Sequence, residues 1–78
     1  MSQLQQTLHD LYTNAERATQ TFPEATGMDL LRVSLETHMQ LLIESGDVLP
    51  AKEAQMMLEV AQEAEDFDEL MELAKGLP

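Results

Sequence analysis

Apolar residues recur at spacings of three and four along most of the chain, and this spacing is the strongest constraint on its fold. The first run, which we name the heptad seam, contains Leu4, Leu8, Leu11, Ala15, Ala18 and Phe22. Such spacing places the side chains on one stripe of an α-helix that packs along another helix. Because β-branched and aromatic residues are scarce, strands are not expected. The sequence therefore predicts an all-α fold.

Capping residues indicate where the first two helices begin and end. The first helix is predicted from residue 3 to about residue 20, with Ser2 as its N-cap and Gln5 as the reciprocal partner of a capping box. The second helix is predicted to follow the N-cap Thr26. It is expected to end just before Gly46, which favours the left-handed conformation of a helix C-terminus.

The second half of the chain is predicted to hold one or two further helices. Pro50 suits the first position of the third helix. Asp66 is a good N-cap for a short fourth helix, with Lys75 and Gly76 at its C-terminal end. One continuous third and fourth helix is the alternative. Residues 1–78 are therefore interpreted as a single small bundle of three to four short helices.

The second helix is expected to be the central one, because apolar residues occupy most of its circumference. A helix of this kind must be covered from more than one side. A domain of 78 residues without cysteine is also small for a stable monomer. We therefore predict a homodimer formed through the second helix or through the heptad seam. The residues expected in the core or at the dimer interface are Leu4, Leu8, Leu11, Leu31, Leu35, His38, Met39 and Leu42.

The charge balance excludes several classes of partner. Asp and Glu number 15 against 4 Lys and Arg, which gives a formal net charge of −11. So few cations argue against direct binding to nucleic acid or to an anionic membrane. A helix–turn–helix interpretation of residues 45–64 is rejected for the same reason. No apolar stretch approaches a membrane span and no secretory signal is visible, so a cytoplasmic protein is expected.

An acidic cluster near the C-terminus is the most distinctive feature of the sequence. It consists of Glu59, Glu63, Glu65, Asp66, Asp68, Glu69 and Glu72, without an intervening Lys or Arg. We name these seven residues the acidic face. It is interpreted either as a docking surface for a basic protein partner or as a solvated face that keeps the protein soluble. A calcium loop is the third interpretation, but the mid-loop glycine that such a loop requires is missing.

Residues capable of catalysis are few. There is no cysteine, and the two histidines are His9, which precedes Asp10, and His38. Both are interpreted as structural, since neither belongs to a recognisable Ser–His–Asp arrangement, and no glycine-rich phosphate loop is present. So small a helical chain also offers little room for a substrate pocket. The sequence therefore predicts a protein that is not an enzyme and that has no metal or cofactor site.

One segment resembles a known group of proteins. The run Leu42-Ile43-Glu44-Ser45-Gly46-Asp47-Val48-Leu49-Pro50, followed by an amphipathic helix, is similar to small helical connector proteins of enteric bacteria that modulate response-regulator signalling and biofilm formation. The resemblance covers only this half of the chain. It implies a small bacterial signalling regulator and carries over no catalytic or ligand residue.

Three functional hypotheses follow. The first is an inhibitor or adaptor whose acidic face binds a basic protein, such as one that itself binds nucleic acid. The second is a small structural subunit or chaperone-like assembly factor whose apolar helix face is covered by a larger protein. The third is the signalling connector implied by the resemblance.

Overall fold

The structure is a computed structural model that describes all 78 residues, and it is entirely helical. Its four helices are α1 (Gln3–Ala18), α2 (Gly27–Ser45), α3 (Val48–Glu63) and α4 (Phe67–Ala74). The prediction of an all-α bundle is confirmed. The third and fourth helices are separate, because Ala64 adopts an extended conformation that ends α3.

The N-terminus of α1 is capped as predicted, but its capping box is incomplete. The Ser2 hydroxyl accepts a hydrogen bond from the Gln5 backbone N–H at 3.2 Å. The Gln5 side chain does not return to Ser2. It is buried and donates from Nε2 to the Met71 carbonyl of α4 at 2.9 Å. Met71 lies in the last turn of α4, where carbonyls lack a partner further along the helix. A tertiary hydrogen bond therefore replaces the local one.

Both ends of α2 match the prediction. The Thr26 hydroxyl accepts from the Asp29 N–H at 3.1 Å, and the Asp29 carboxylate accepts from the Thr26 N–H at 3.3 Å. The hydrogen bond that the Asp29 carboxylate accepts from the Thr26 backbone N–H holds the pKa of Asp29 below its ordinary value, and the Thr26 side chain and the nearby Arg32 add to the effect. At the other end Gly46 has a φ of 76° and donates to the Ile43 carbonyl at 3.1 Å.

Two predicted helix ends in the second half of the chain are wrong. α3 begins at Val48 instead of Pro50, because the first turn of a helix has N–H groups without partners and tolerates a proline. Gly76 does not adopt the left-handed conformation. Instead, Gly76 and Leu77 donate to the Leu73 and Ala74 carbonyls, which closes the end of α4 with right-handed turns.

The heptad seam of α1 packs inside the chain. Leu4, Leu8 and Ala15 are buried in one core cluster to which all four helices contribute. Phe22 is exposed, because α1 ends at Ala18 and the seam does not continue beyond it.

α2 packs against α1 and α3, while α4 packs against α1 and α3. Only the first half of α2 is covered in this way, and its buried side chains are Met28, Leu31 and Leu35. The first residue of α1, Gln3, lies at the level of His38 and Pro50, with which it lines one groove. The ends of α2 and α3 at this level and beyond it, together with the next residues of α3, Ala51 and Lys52, are named the hairpin tip (residues 39–52). The prediction that α2 is covered from more than one side therefore does not hold within the chain for the part of α2 in the hairpin tip.

Candidate functional site

The acidic face lies where α3 ends and α4 begins. Glu59 and Glu63 belong to α3, Glu65 and Asp66 to the connection, and Asp68, Glu69 and Glu72 to α4. All seven side chains are exposed. The structure therefore presents the whole predicted set to the outside around a single helix–helix connection.

Most carboxylates of the acidic face have no cationic partner within the chain. Glu72 is the exception, with its Oε2 2.9 Å from Lys75 Nζ. Asp66 serves as the N-cap of α4 and accepts from the Glu69 backbone N–H at 2.9 Å. Glu59 accepts a long hydrogen bond from Gln55 at 3.5 Å. The negative charge of the face is therefore left for solvent or for a partner molecule.

Arg32 holds the end of α3 that carries this face. Its Nε donates to the Ala61 carbonyl at 2.9 Å, and its Nη2 donates to the Ala64 carbonyl at 2.6 Å. Its Nη1 lies 3.4 Å from Asp29 Oδ1. A cation is favourable at the C-terminal end of a helix, where carbonyl groups lack partners. Arg32 therefore fixes the point at which the chain leaves α3 for the acidic face.

Phe67 fixes the beginning of α4 against α1. The centroid of its ring lies 4.7 Å from that of the Tyr12 ring and 5.6 Å from that of the His9 ring. The contact with His9 is edge-to-face. The Tyr12 hydroxyl donates to Glu16 Oε1 at 2.5 Å. This hydrogen bond, together with burial and the negative charges of Glu16 and Asp66, raises the pKa of Tyr12 to about 12. The Tyr12 phenol therefore stays neutral beside the acidic face.

The structure divides the predicted core and interface residues into two groups. Leu4, Leu8, Leu31 and Leu35 are buried, so they are not presented to a second copy. Leu11, Met39 and Leu42 are half-buried and His38 is exposed. Leu11 and His38 line a groove between α1 and α2, whereas Met39 and Leu42 line a groove in the hairpin tip. Only the second group remains available for contact with another molecule.

The two histidines lie in different surroundings. His9 Nδ1 is buried without a hydrogen-bond partner and lies 3.6 Å from Asp10 Oδ1. His38 lies on α2 beside Thr7 and Ser34. No group of three or more His, Asp or Glu side chains is arranged to hold a metal ion. None of the four helices has the length and apolarity needed to cross a membrane.

Sequence reasoning missed two residues that position the acidic face. Arg32 belongs to a polar stripe of α2, and Gln5 resembles a local capping residue. Both instead reach distant carbonyl groups, at Ala61 and Ala64 and at Met71. The one available signal was that Arg32 is the only cationic residue of α2.

No protein-family model, curated protein or solved structure matches the chain. The resemblance of residues 42–50 to bacterial connector proteins stays a prediction. Among the surfaces of this molecule, the acidic face is the most strongly charged.

Proposed function

We propose that this protein is a non-enzymatic binding module whose acidic face contacts a basic partner protein. The observation that carries the proposal is the exposure of seven carboxylates around the α3–α4 connection, of which only Glu72 forms an ion pair within the chain. A concentrated charge of one sign speeds association and selects partners of the opposite sign. A partner whose Lys and Arg side chains normally hold phosphate groups has the required chemistry. The protein would then act as an inhibitor or adaptor of that partner.

The way in which the face is held supports this proposal. Arg32 ties the end of α3 to α2, Phe67 packs the beginning of α4 on α1, and Gln5 holds the last turn of α4. A surface that is already ordered loses less conformational entropy on binding than a flexible acidic segment does. The helices thus present the carboxylates on a fixed support.

The proposal is tested by capturing partners from host lysate with the intact protein and eluting them with a salt gradient. We expect a basic protein to be released well below 1 M salt. At 1 M salt the Debye length is only about 3 Å, so exposed ion pairs are already screened at lower salt concentrations. The test variant is Glu59→Lys/Glu63→Lys/Glu72→Lys. All three positions lie toward the C-terminal ends of their helices, where a cation does not oppose the helix dipole.

The matched control is Glu24→Lys/Glu36→Lys/Glu44→Lys. Each triple variant changes the net charge from −11 to −5, and all six glutamates are exposed. The proposal expects the captured protein to be lost with the first variant and retained with the control. Equal capture by both variants would show that the acidic face only solubilises the protein.

The alternative of a small subunit or assembly factor also has an observation in its favour. Leu41 and Ile43 on α2 are more than half exposed. If a larger protein covers this side of α2, capture will survive 1 M salt, because burial of apolar surface is not weakened by screening. The salt gradient therefore distinguishes the two functions in one experiment.

A further inference from the structure

The hairpin tip exposes more apolar surface than any other part of the molecule. Four of the eight large hydrophobic side chains that are exposed lie there: Leu41, Ile43, Val48 and Leu49. They surround the turn between α2 and α3 beyond the level at which α1 begins. No residue of α1 or α4 lines the groove of the tip. The chain therefore leaves this part of its second and third helices without a partner.

A groove of about 250 Å³ runs between α2 and α3 at the tip. Its apolar lining is formed by Met39, Leu42, Ile43, Val48 and Ala51. Asp47 and Lys52 also line it, and both are exposed. Neither forms an ion pair within the chain. The groove thus combines an apolar floor with one free anion and one free cation.

We propose that the hairpin tip is a homodimer interface, in which a second copy of this chain packs its own tip against the groove. In a two-fold dimer both copies use the same surface patch. Each contact between two different residues therefore occurs twice, once in each direction. Lys52 of each copy would meet Asp47 of the other. The same contact would cover Ile43 and Val48 of both copies.

The charge distribution favours a second copy at this end of the molecule. Two chains of −11 repel each other most strongly where their carboxylates meet. Glu63 lies 15 residues along α3 from Val48, which is about 22 Å at the rise of an α-helix. This separation exceeds the Debye length of about 8 Å at physiological ionic strength. The hairpin tip carries only Glu44, Asp47 and Lys52, so it is a weakly charged end at which two copies can approach.

The exposed area predicts a weak dimer. Leu41, Ile43, Val48 and Leu49 are 57%, 57%, 65% and 69% exposed. At about 100 Å² of apolar surface for a whole aliphatic side chain, the four offer about 250 Å² per copy. A standard interface of about 800 Å² per partner contains about 450 Å² of apolar area, so the tip supports an interface at the small end of the range. We expect a dissociation constant on the order of 10⁻⁵ M.

The test is sedimentation equilibrium of the full chain alone from low micromolar to millimolar concentration. The expected result is a mass that rises with concentration from 8.8 kDa toward twice that value. Val48→Asp should weaken the dimer at least tenfold. The control is Val33→Asp, which makes the same change at a valine of similar exposure, 61%, outside the tip. It should leave the dissociation constant unchanged.

A charge exchange tests the two-fold geometry itself. Lys52→Glu and Asp47→Lys should each weaken the dimer several-fold, and the double variant should restore it, because the crossed ion pairs re-form with reversed signs. A monomer at every concentration would overturn the proposal. A dimer that Val33→Asp weakens but Val48→Asp does not would overturn it as well, since the interface would then lie elsewhere. Loss of partner capture by the acidic-face variant has no bearing on this measurement, which uses the chain alone.

Discussion

Replacing the Arg32 guanidinium should destabilise the protein more than is usual for a partly exposed side chain. Arg32 donates to the Ala61 and Ala64 carbonyls and joins α2 to the end of α3. A hydrogen bond from a charged group contributes about 1.5 to 3 kcal/mol. Because the side chain is 31% exposed, water can reach the two carbonyls in the variant and reduce the loss. For Arg32→Met we therefore expect a total loss of about 2 to 3 kcal/mol.

This loss is large for a chain of this length. At about 0.05 to 0.15 kcal/mol per residue, the free energy of unfolding lies between about 4 and 12 kcal/mol. With an m-value of about 1 kcal/mol per molar urea, the unfolding midpoint should fall by about 2 to 3 M. The measurement is urea unfolding followed by far-ultraviolet circular dichroism.

Two further variants separate the hydrogen bonds from the charge. Arg17→Met removes the same charge from an exposed arginine that forms no ion pair. It should lower the unfolding free energy by less than about 1 kcal/mol, because Arg17 only contributes a cation to the last turn of α1. The unfolding midpoint of Arg32→Lys should lie between those of the unsubstituted protein and Arg32→Met. An ammonium group keeps the charge but cannot donate to both carbonyls as the planar guanidinium does. If Arg32→Met and Arg17→Met unfold at the same midpoint, the reasoning about the Arg32 hydrogen bonds is refuted.

Two other outcomes are expected. Tyr12 is the only tyrosine, so its ultraviolet titration in the native protein should have a midpoint near pH 12, which Glu16→Ala moves toward the ordinary value of 10. Because the pKa of Tyr12 is raised in the folded state, the contribution of Tyr12 to stability is present below pH 10 and is lost as the pH rises through 12. Identical titration curves for the native and the urea-unfolded protein would contradict the raised pKa. Leu70 is fully buried, so Leu70→Ala should lower the unfolding free energy by about 2 to 5 kcal/mol. Leu73→Ala, at a side chain 38% exposed, should cost clearly less in the same urea experiment, and equal losses would mean that α4 is not packed as described.

Helix ends were predictable wherever the deciding contact is local. The side chains of Thr26 and Asp66 accept hydrogen bonds from N–H groups three residues ahead, and the carbonyl that Gly46 contacts is three residues behind. Residue type and short spacing were sufficient for these three positions. The start of α3 was misplaced for a related reason, because a proline is tolerated at more than one position of the first turn.

The supports of the acidic face could not be predicted because their partners are distant in the sequence. Gln5 contacts a carbonyl 66 residues away, and Arg32 contacts carbonyls 29 and 32 residues away. The sequence around Gln5 favours a capping box with Ser2, but the Gln5 side chain instead donates to the Met71 carbonyl of α4. The acidic residues themselves were predictable as a set, because all seven fall between positions 59 and 72 without an intervening Lys or Arg.

The sequence by itself determined that the chain is helical, where most helices end and where the negative charge is concentrated. These properties depend on residues within about one helical turn of each other. Only the tertiary structure decided which apolar residues form the core. Leu35 and Leu41 are the same residue type on the same helix, yet Leu35 is 1% exposed and Leu41 is 57% exposed. The difference arises because α1 and α3 both pack against the first half of α2, whereas α3 alone continues beside the second half, which leaves the hairpin tip open to another molecule.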